Sequence, residues 1–424
     1  MAEQKVMNRN LVVVGAILIQ LALGAIYAWS VFTSPLKEAG WSKAETQYVF
    51  AAGLAFFAIV MVLAGRMMPK VGPRKLAIAG GIVLGLGYLL GGLVAGTNTW
   101  LLILFIGIVG GSGIGLAYVV PIAVGMRWFP DKKGLITGLA VAGFGFGAML
   151  WVKLASTWGG LIATYGLSHT FAIYGIIFLI MVVLGGLWMI FPPEGWKPAG
   201  WVPPAPQAGK SCGAVDFTCS EMLKTGQFFM MFITFVFSAG AGLMTIGLMG
   251  LFPKEALMNN GMDETSAKVV AGTAMAVFYS LANGLGRIIW GIISDKIGRK
   301  IAIIIMTALQ GVVMILFQWF AGTTGLLYLG ATLIGFNFGG NFSLFPTICA
   351  DTFGTKYIGQ NYGWVFLAYG IGGIFGPILG GKLGDMGNFP LAFTICGVLC
   401  LAAAVISSML RPPKKLDAVV GMAS

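Results

Sequence analysis

Acidic residues are missing where they would matter most: the interiors of the long apolar stretches contain no aspartate and no glutamate, and the whole chain has only 14 among 424 residues. Charge of either sign is scarce at 9%, against roughly 25% in a soluble domain, which excludes an ordinary water-soluble fold. Histidine occurs once, at His169, where it is expected at the surface near the outer end of a span. With no carboxylate or imidazole inside the spans, a membrane-embedded enzyme lacks its general base. The five cysteines (212, 219, 349, 396, 400) form no paired framework, and Cys212 and Cys219 have no histidine beside them to complete a metal site. No cofactor and no metal are expected. The first apolar stretch, Leu11 to Thr33, lacks a small-residue cleavage site and reads as a retained helix rather than a signal peptide.

What remains is apolar bulk. Hydrophobic residues make up 58% of the chain and glycine contributes 65 positions. A membrane-crossing helix needs about 20 apolar residues. Twelve stretches qualify, near 11–33, 45–66, 76–96, 100–123, 134–157, 169–191, 227–252, 267–293, 301–321, 325–349, 361–383 and 388–410. The expected fold is therefore an all-α membrane protein of two pseudo-symmetric six-helix bundles, residues 1–191 and 227–424. Between them runs a connector, 192–226, with six prolines by Pro206; such a segment cannot bury enough to fold alone.

The net charge of +12 does not point to nucleic acid, because the basic residues sit in short clusters between apolar spans. Lys5 and Arg9, then Arg66, Lys70, Arg74 and Lys75, then Arg127, Lys132 and Lys133, and later Lys296, Arg299 and Lys300 all fall on one side. Only Lys37, Lys43, Lys254, Lys268 and Lys382 fall on the other. This asymmetry predicts a plasma (bacterial inner) membrane protein with both termini cytoplasmic. Lys153, deep in the fifth span, is expected to snorkel to the outer interface.

The halves repeat at an offset of 225 residues: Gly110, Gly115, Pro121, Gly134, Gly138, Gly145 and Gly147 match Gly335, Gly340, Pro346, Gly359, Gly363, Gly370 and Gly372. Parallel repeats of this kind build alternating-access transporters whose site lies at the repeat interface near mid-membrane. Glycines at helix crossings permit the close approach that such halves use.

Arg287 interrupts the eighth span. A guanidinium stays charged at every physiological pH, and near the bilayer centre it costs between ~3 and more than ~10 kcal/mol. A visiting carboxylate is the obvious counter-charge, since the fork of N–H groups fits one through two hydrogen bonds. Asn283 and Tyr279 fall on the same helical stripe. Tyr27, Tyr118 and Tyr369 are lone tyrosines in the first, fourth and eleventh spans, able to line a small anion pocket. Asn337 and Asn341 lie one turn apart in the tenth span, with Phe338 and Phe342 as an apolar wall limiting substrate size.

After the eighth span the chain reads Gly291-Ile-Ile-Ser-Asp295-Lys296-Ile-Gly298-Arg299-Lys300. This resembles the cytoplasmic-loop motif of the major facilitator superfamily. The N-terminal copy, Gly65 to Lys75, includes Lys70 and Arg74 but has Pro69 where the motif has aspartate. The resemblance implies gating roles for Asp295, Arg299, Lys70 and Arg74, with latching by the N-terminal copy weakened. The run Arg127-Trp-Phe-Pro-Asp-Lys-Lys-Gly134, the run Asn283-Gly-Leu-Gly-Arg287 and Asn361-Tyr-Gly363 are similar to the oxalate–formate antiporter and monocarboxylate transporter families. In those families the helix-eight arginine binds a substrate carboxylate, and Tyr27 and Tyr118 match cavity tyrosines. Oxalate exchangers add a lysine in helix eleven, where this chain has Tyr369. One fixed charge implies one carboxylate.

The expectation is a secondary active transporter, monomeric in the bilayer, for a small monocarboxylate such as lactate or pyruvate. Coupling stays open between proton symport and anion exchange. The alternative cargo is that of an oxalate–formate exchanger.

Overall fold

The structure is a computed structural model that describes residues 7–41, 43–193, 195–198 and 216–411. Lys5, Lys210, Cys212, Lys414 and Lys415 lie outside the described residues. Among those described, every regular element is helical. Eleven helices are long and apolar enough to cross a membrane: α1 (Asn10–Ala28), α2 (Tyr48–Val71), α3 (Pro73–Val94), α4 (Thr99–Trp128), α5 (Lys133–Ala155), α6 (Leu161–Gly186), α7 (Gly226–Leu248), α8 (Glu264–Ile297), α9 (Arg299–Phe320), and, after α10, α11 (Ile358–Asp385) and α12 (Phe389–Ser408). The helix between, α10 (Thr324–Phe353), has 30 residues and is less apolar, because it carries Asn337, Asn341, Ser343 and Thr347. These polar side chains are buried against protein, so twelve helices form the two halves.

Four helices depart from regular winding. The end of α1 tightens into a 3₁₀ turn over Gly24–Ala28. Both α4 and α8 widen into π-helix, over Ile103–Gly110 and Ala274–Tyr279. The helix α6 kinks at Gly166, whose φ of 73° is open to glycine and costly for other residues. Gly72 and Gly298 end the two motif copies with φ of 86° and 90°, which lets α3 and α9 start at once on a new axis.

The repeated glycines perform matching tasks in the two halves. In α5, Gly134, Gly138 and Gly145 lie against Gly291, the Arg287 backbone and Gly284 of α8. In α11, their counterparts Gly359, Gly363 and Gly370 lie against Gly65, Val62 and Ala58 of α2. One residue pair further, Gly147 abuts Leu21 and Gly24 of α1, while Gly372 abuts Gly240 of α7. The α5–α8 and α2–α11 crossings thus form the two seams between the halves, and a side chain at most of these positions would meet backbone.

Part of the expected connector, from residue 216 on, is described. Its last part docks: the Phe217 N–H donates to the Phe353 carbonyl at 2.9 Å, and Asn361 Nδ2 donates to the Phe217 carbonyl at 2.9 Å. Buried Phe217 and Met222 hold this stretch in position. Thr218 and Glu221 close a capping box on the short helix Cys219–Met222.

Candidate functional site

Arg287 lies about 12 Å along α8 from the helix end at Asp295, at 1.5 Å per residue, and its side chain is 0% exposed. It points neither to solvent nor to lipid. No acidic group forms an ion pair with it among the described residues. Glu45, which falls at the first residue of the expected second span, accepts from Thr99 Oγ1 at 3.4 Å, near the opposite end of the molecule. The guanidinium is held by neutral groups instead. Nε donates to Asn283 Oδ1 at 3.0 Å, one turn back on α8, and Nη1 donates to the Val141 carbonyl of α5 at 2.9 Å. The Phe342 ring lies 4.0 Å below the guanidinium carbon and the Phe144 ring 5.2 Å away, a cation–π arrangement. These contacts spread the charge without cancelling it.

A guanidinium offers five N–H groups. Two are engaged, and Nη2 makes no well-formed hydrogen bond, with the Tyr27 and Tyr118 hydroxyls lying beside the guanidinium. The Nε edge is closed by Asn283, so a carboxylate would meet the edge formed by Nη1 and Nη2.

The three tyrosines converge here. Tyr27 and Tyr369, one from each half, share a hydrogen bond between their hydroxyls at 2.9 Å. Tyr118 lies beside Arg287, although its hydroxyl makes no well-formed hydrogen bond. Around them Phe57, Phe144, Phe342 and Phe366 pack against the tyrosine rings at 4.8–5.7 Å, edge-on or tilted except for Phe366, which stacks on Tyr369. Phe338 meets Phe342 at 5.2 Å and nearly perpendicular. All of these side chains are buried, so the cluster is closed to solvent.

Other expected site residues have different occupations. The Tyr279 hydroxyl donates to the Gly242 carbonyl of α7 at 3.1 Å. The π-turn lies ahead of this stripe, so Tyr279, Asn283 and Arg287 keep their four-residue spacing along regular helix. Asn341 is satisfied by Ser238, 2.8 Å away, and by the Phe338 carbonyl. Asn337 is fully buried with neither end of its amide bonded. His169 is exposed, its Nδ1 3.0 Å from the Tyr165 carbonyl, and Lys153 is half-buried.

Gln20 of α1 was not apparent beforehand. It is buried and donates to the Tyr118 carbonyl at 3.1 Å, leaving its own oxygen unpaired. A glutamine among apolar residues was the available signal. Val141 carried none, because its contribution is a main-chain carbonyl.

Of the expected gating residues, Asp295 and Arg299, both in the C-terminal half, pair at the basic end of the molecule, and Asp295 reaches the other half. Asp295 accepts from the N–H groups of Gly134 and Leu135 at 3.3 and 3.1 Å, capping α5 of the other half, and also pairs with Arg299. Arg299 Nε reaches Asp351 at 3.1 Å, and Asp351 reaches Lys133 of the N-terminal half at 3.6 Å. Lys70 and Arg74 do not take equivalent positions. Lys70 is exposed, and Arg74 donates to the Leu187 carbonyl at 2.9 Å within its own half. With Pro69 in place of an acid, this copy offers no carboxylate to cap α11 as Asp295 caps α5, and among the described residues Lys70 and Arg74 form no ion pair across the halves.

A family model described as Major Facilitator Superfamily matches residues 12–259 and 248–421, nearly the whole chain. An uncharacterised MFS-type transporter, YhjX, of Escherichia coli (strain K12) is 31% identical over 373 residues, covering 87% of this chain and 86% of that protein. An oxalate:formate antiporter of Oxalobacter formigenes is 29% identical over 422 residues, covering 96% and 94%. Among solved structures, the major facilitator transporter FucP in an outward conformation aligns with a TM-score of 0.64 at 16% identity, over 96% of this chain and 99% of that one; this likeness concerns the fold alone.

Proposed function

The chain belongs to the major facilitator superfamily of membrane transporters, and on that premise we propose that it moves a small monocarboxylate of the lactate or pyruvate type by alternating access. The observation that carries this reading is Arg287: a fully buried cation, without an acidic partner among the described residues, with Nη2 making no well-formed hydrogen bond. The substrate carboxylate is the missing counter-charge, received on the Nη edge beside Tyr118 and between the rings of Phe144 and Phe342. Tyr27 and Tyr369 close over its uncharged end, and Asn283 steadies the guanidinium.

In this reading residues 1–191 and 227–424 rock as two bundles joined by the 192–226 connector, in a plasma (bacterial inner) membrane with the basic end and both termini cytoplasmic. The protein works as a monomer. A proton accompanies the substrate, so that the anion does not move against the membrane potential alone.

The second reading is anion exchange of the oxalate–formate type, supported by the similarity to the Oxalobacter antiporter. Tyr369 weighs against a dicarboxylate, because a phenol supplies no second positive charge.

Proteoliposome uptake of labelled lactate or pyruvate tests the proposal, with oxalate as competitor. The expected result is monocarboxylate uptake stimulated by an inward proton gradient and weakly inhibited by oxalate. Uptake that requires trans oxalate or formate and ignores the gradient would favour exchange; no carboxylate uptake under either condition would overturn the proposal.

A further inference from the structure

Pro121 lies inside α4, three residues after Tyr118, and the two halves treat this turn differently. Proline brings no N–H, and its ring crowds the carbonyls of the turn before it. In α10 the repeat places Pro346 for Pro121 and Ser343 for Tyr118, at the same 225-residue offset as the glycines. There the Ser343 carbonyl accepts from Thr347 Oγ1 at 2.6 Å, inside its own helix. The counterpart of Thr347 is Ile122, which has no hydroxyl. In α4 the donor comes from another helix: Gln20 Nε2 of α1 donates to the Tyr118 carbonyl at 3.1 Å.

Gln20 is 0% exposed, and its own oxygen is unpaired. An apolar side chain of the same length would avoid burying that acceptor. What only the amide supplies here is the N–H to Tyr118. The third side is closed by α5, where a methyl at Gly143, two residues after Val141, would come within 3.2 Å of the Gln20 Cβ and 2.9 Å of the Ile17 carbonyl. Gln20 thus stands where α1, α4 and α5 meet, the helices that bring Tyr27, Tyr118 and the Val141 carbonyl to Arg287.

We propose that Gln20 is a positioning residue for the substrate site: by donating to the Tyr118 carbonyl it sets the turn of α4 that carries the Tyr118 ring beside Arg287. The inference rests on the monocarboxylate reading above. Gln20 acts through Tyr118 and not on the cargo. Without its N–H the turn ahead of Pro121 shifts, the Tyr118 hydroxyl moves off the Nη edge, and the carboxylate is held less tightly.

Gln20→Met keeps the length of the side chain and removes the N–H. Initial uptake of labelled pyruvate into proteoliposomes should show KM raised about ten-fold, the size of one lost hydrogen bond to an anion, with kcat changed by less than about two-fold. Adding Ile122→Thr gives α4 the hydroxyl that Thr347 gives α10, and should bring KM back to within about three-fold of the parent. In a Tyr118→Phe protein, which already lacks the hydroxyl, Gln20→Met should change KM by less than about two-fold. The positioning role is overturned by an unchanged KM in Gln20→Met, by a raised KM that Ile122→Thr does not rescue, or by an equally large effect in the Tyr118→Phe protein. A Gln20→Met protein recovered only unfolded would assign Gln20 to the fold and overturn it too. A parent protein that takes up no monocarboxylate overturns the functional reading, and this role with it.

Discussion

Arg287 of α8 donates through Nη1 to the main-chain carbonyl of Val141 in α5, 2.9 Å away across the seam between the halves. The residue offered to the substrate is thereby also a tie between the two bodies that must move. A carboxylate arriving on the Nη edge competes with that carbonyl for hydrogen bonds. Binding and rearrangement of the halves therefore act on the same guanidinium.

Arg287→Lys tests the planar fork separately from the charge. An ammonium cannot satisfy Asn283, Val141 and a carboxylate with the same directions. Pyruvate uptake should fall by about ten-fold or more, as expected when a bidentate contact is reduced to a single one. Uptake equal to the parent would remove the geometric role assigned to the guanidinium.

Tyr369→Lys adds a second cation where the neutral Tyr27–Tyr369 contact now stands. Oxalate should inhibit pyruvate uptake by this variant at least several-fold more strongly than in the parent. If oxalate inhibits both equally, the one-charge, one-carboxylate relation fails.

Asp295→Asn weakens the cap on α5. A carboxylate at a helix N-terminus contributes about 0.3–1 kcal/mol and up to about 2 when partly buried, and the pairing with Arg299 is lost as well. The variant should open the basic end more often. Cys349 is buried near that end, within electrostatic reach of Tyr362. In a protein retaining Cys349 as its single cysteine, a membrane-impermeant maleimide should label it several-fold faster in the variant. An unchanged rate would assign Asp295 a purely local role.

Gly65 and Gly359 touch at the α2–α11 seam but differ in the room they leave. A methyl at Gly65 would meet the Gly359 carbonyl, whereas one at Gly359 would make ordinary contact with Met68, 3.6 Å away. Gly65→Ala should lower the melting temperature of the purified protein, through overpacking worth about 1–3 kcal/mol. Gly359→Ala should not, since alanine is the better helix former by about 1 kcal/mol. Equal melting temperatures for the two variants would show that the seam yields.

Much of this architecture was readable in the chain because lipid imposes simple requirements. Helix length, basic clusters and the one cation inside a span are all one-dimensional signals, and they located α1 to α12, the basic end and Arg287. The glycine register was equally plain, although its use at both seams emerged only from packing. What could not be read were relations that depend on winding or on main chain. Neither the π-turn at Ala274–Tyr279 nor the bond of the Tyr279 hydroxyl to the Gly242 carbonyl leaves a mark in the sequence. The carbonyls of Val141 and Tyr118 act as acceptors without any side-chain signature. Asp351 entered the Arg299–Lys133 network because α10 runs on to Phe353, past the limit set by its apolar stretch. Phe217 docked because a buried ring and two main-chain hydrogen bonds outweigh the polar composition around it.

The most direct measurement is calorimetric titration of the purified protein with pyruvate and with pyruvamide, which keeps the keto group and the size but not the negative charge. If cargo supplies the anion that Arg287 lacks, the acid binds and the amide binds at least about 100-fold more weakly, a difference of about 2.8 kcal/mol. Equal affinity for the two would contradict it, and the buried guanidinium would then be a structural tie between α8 and α5.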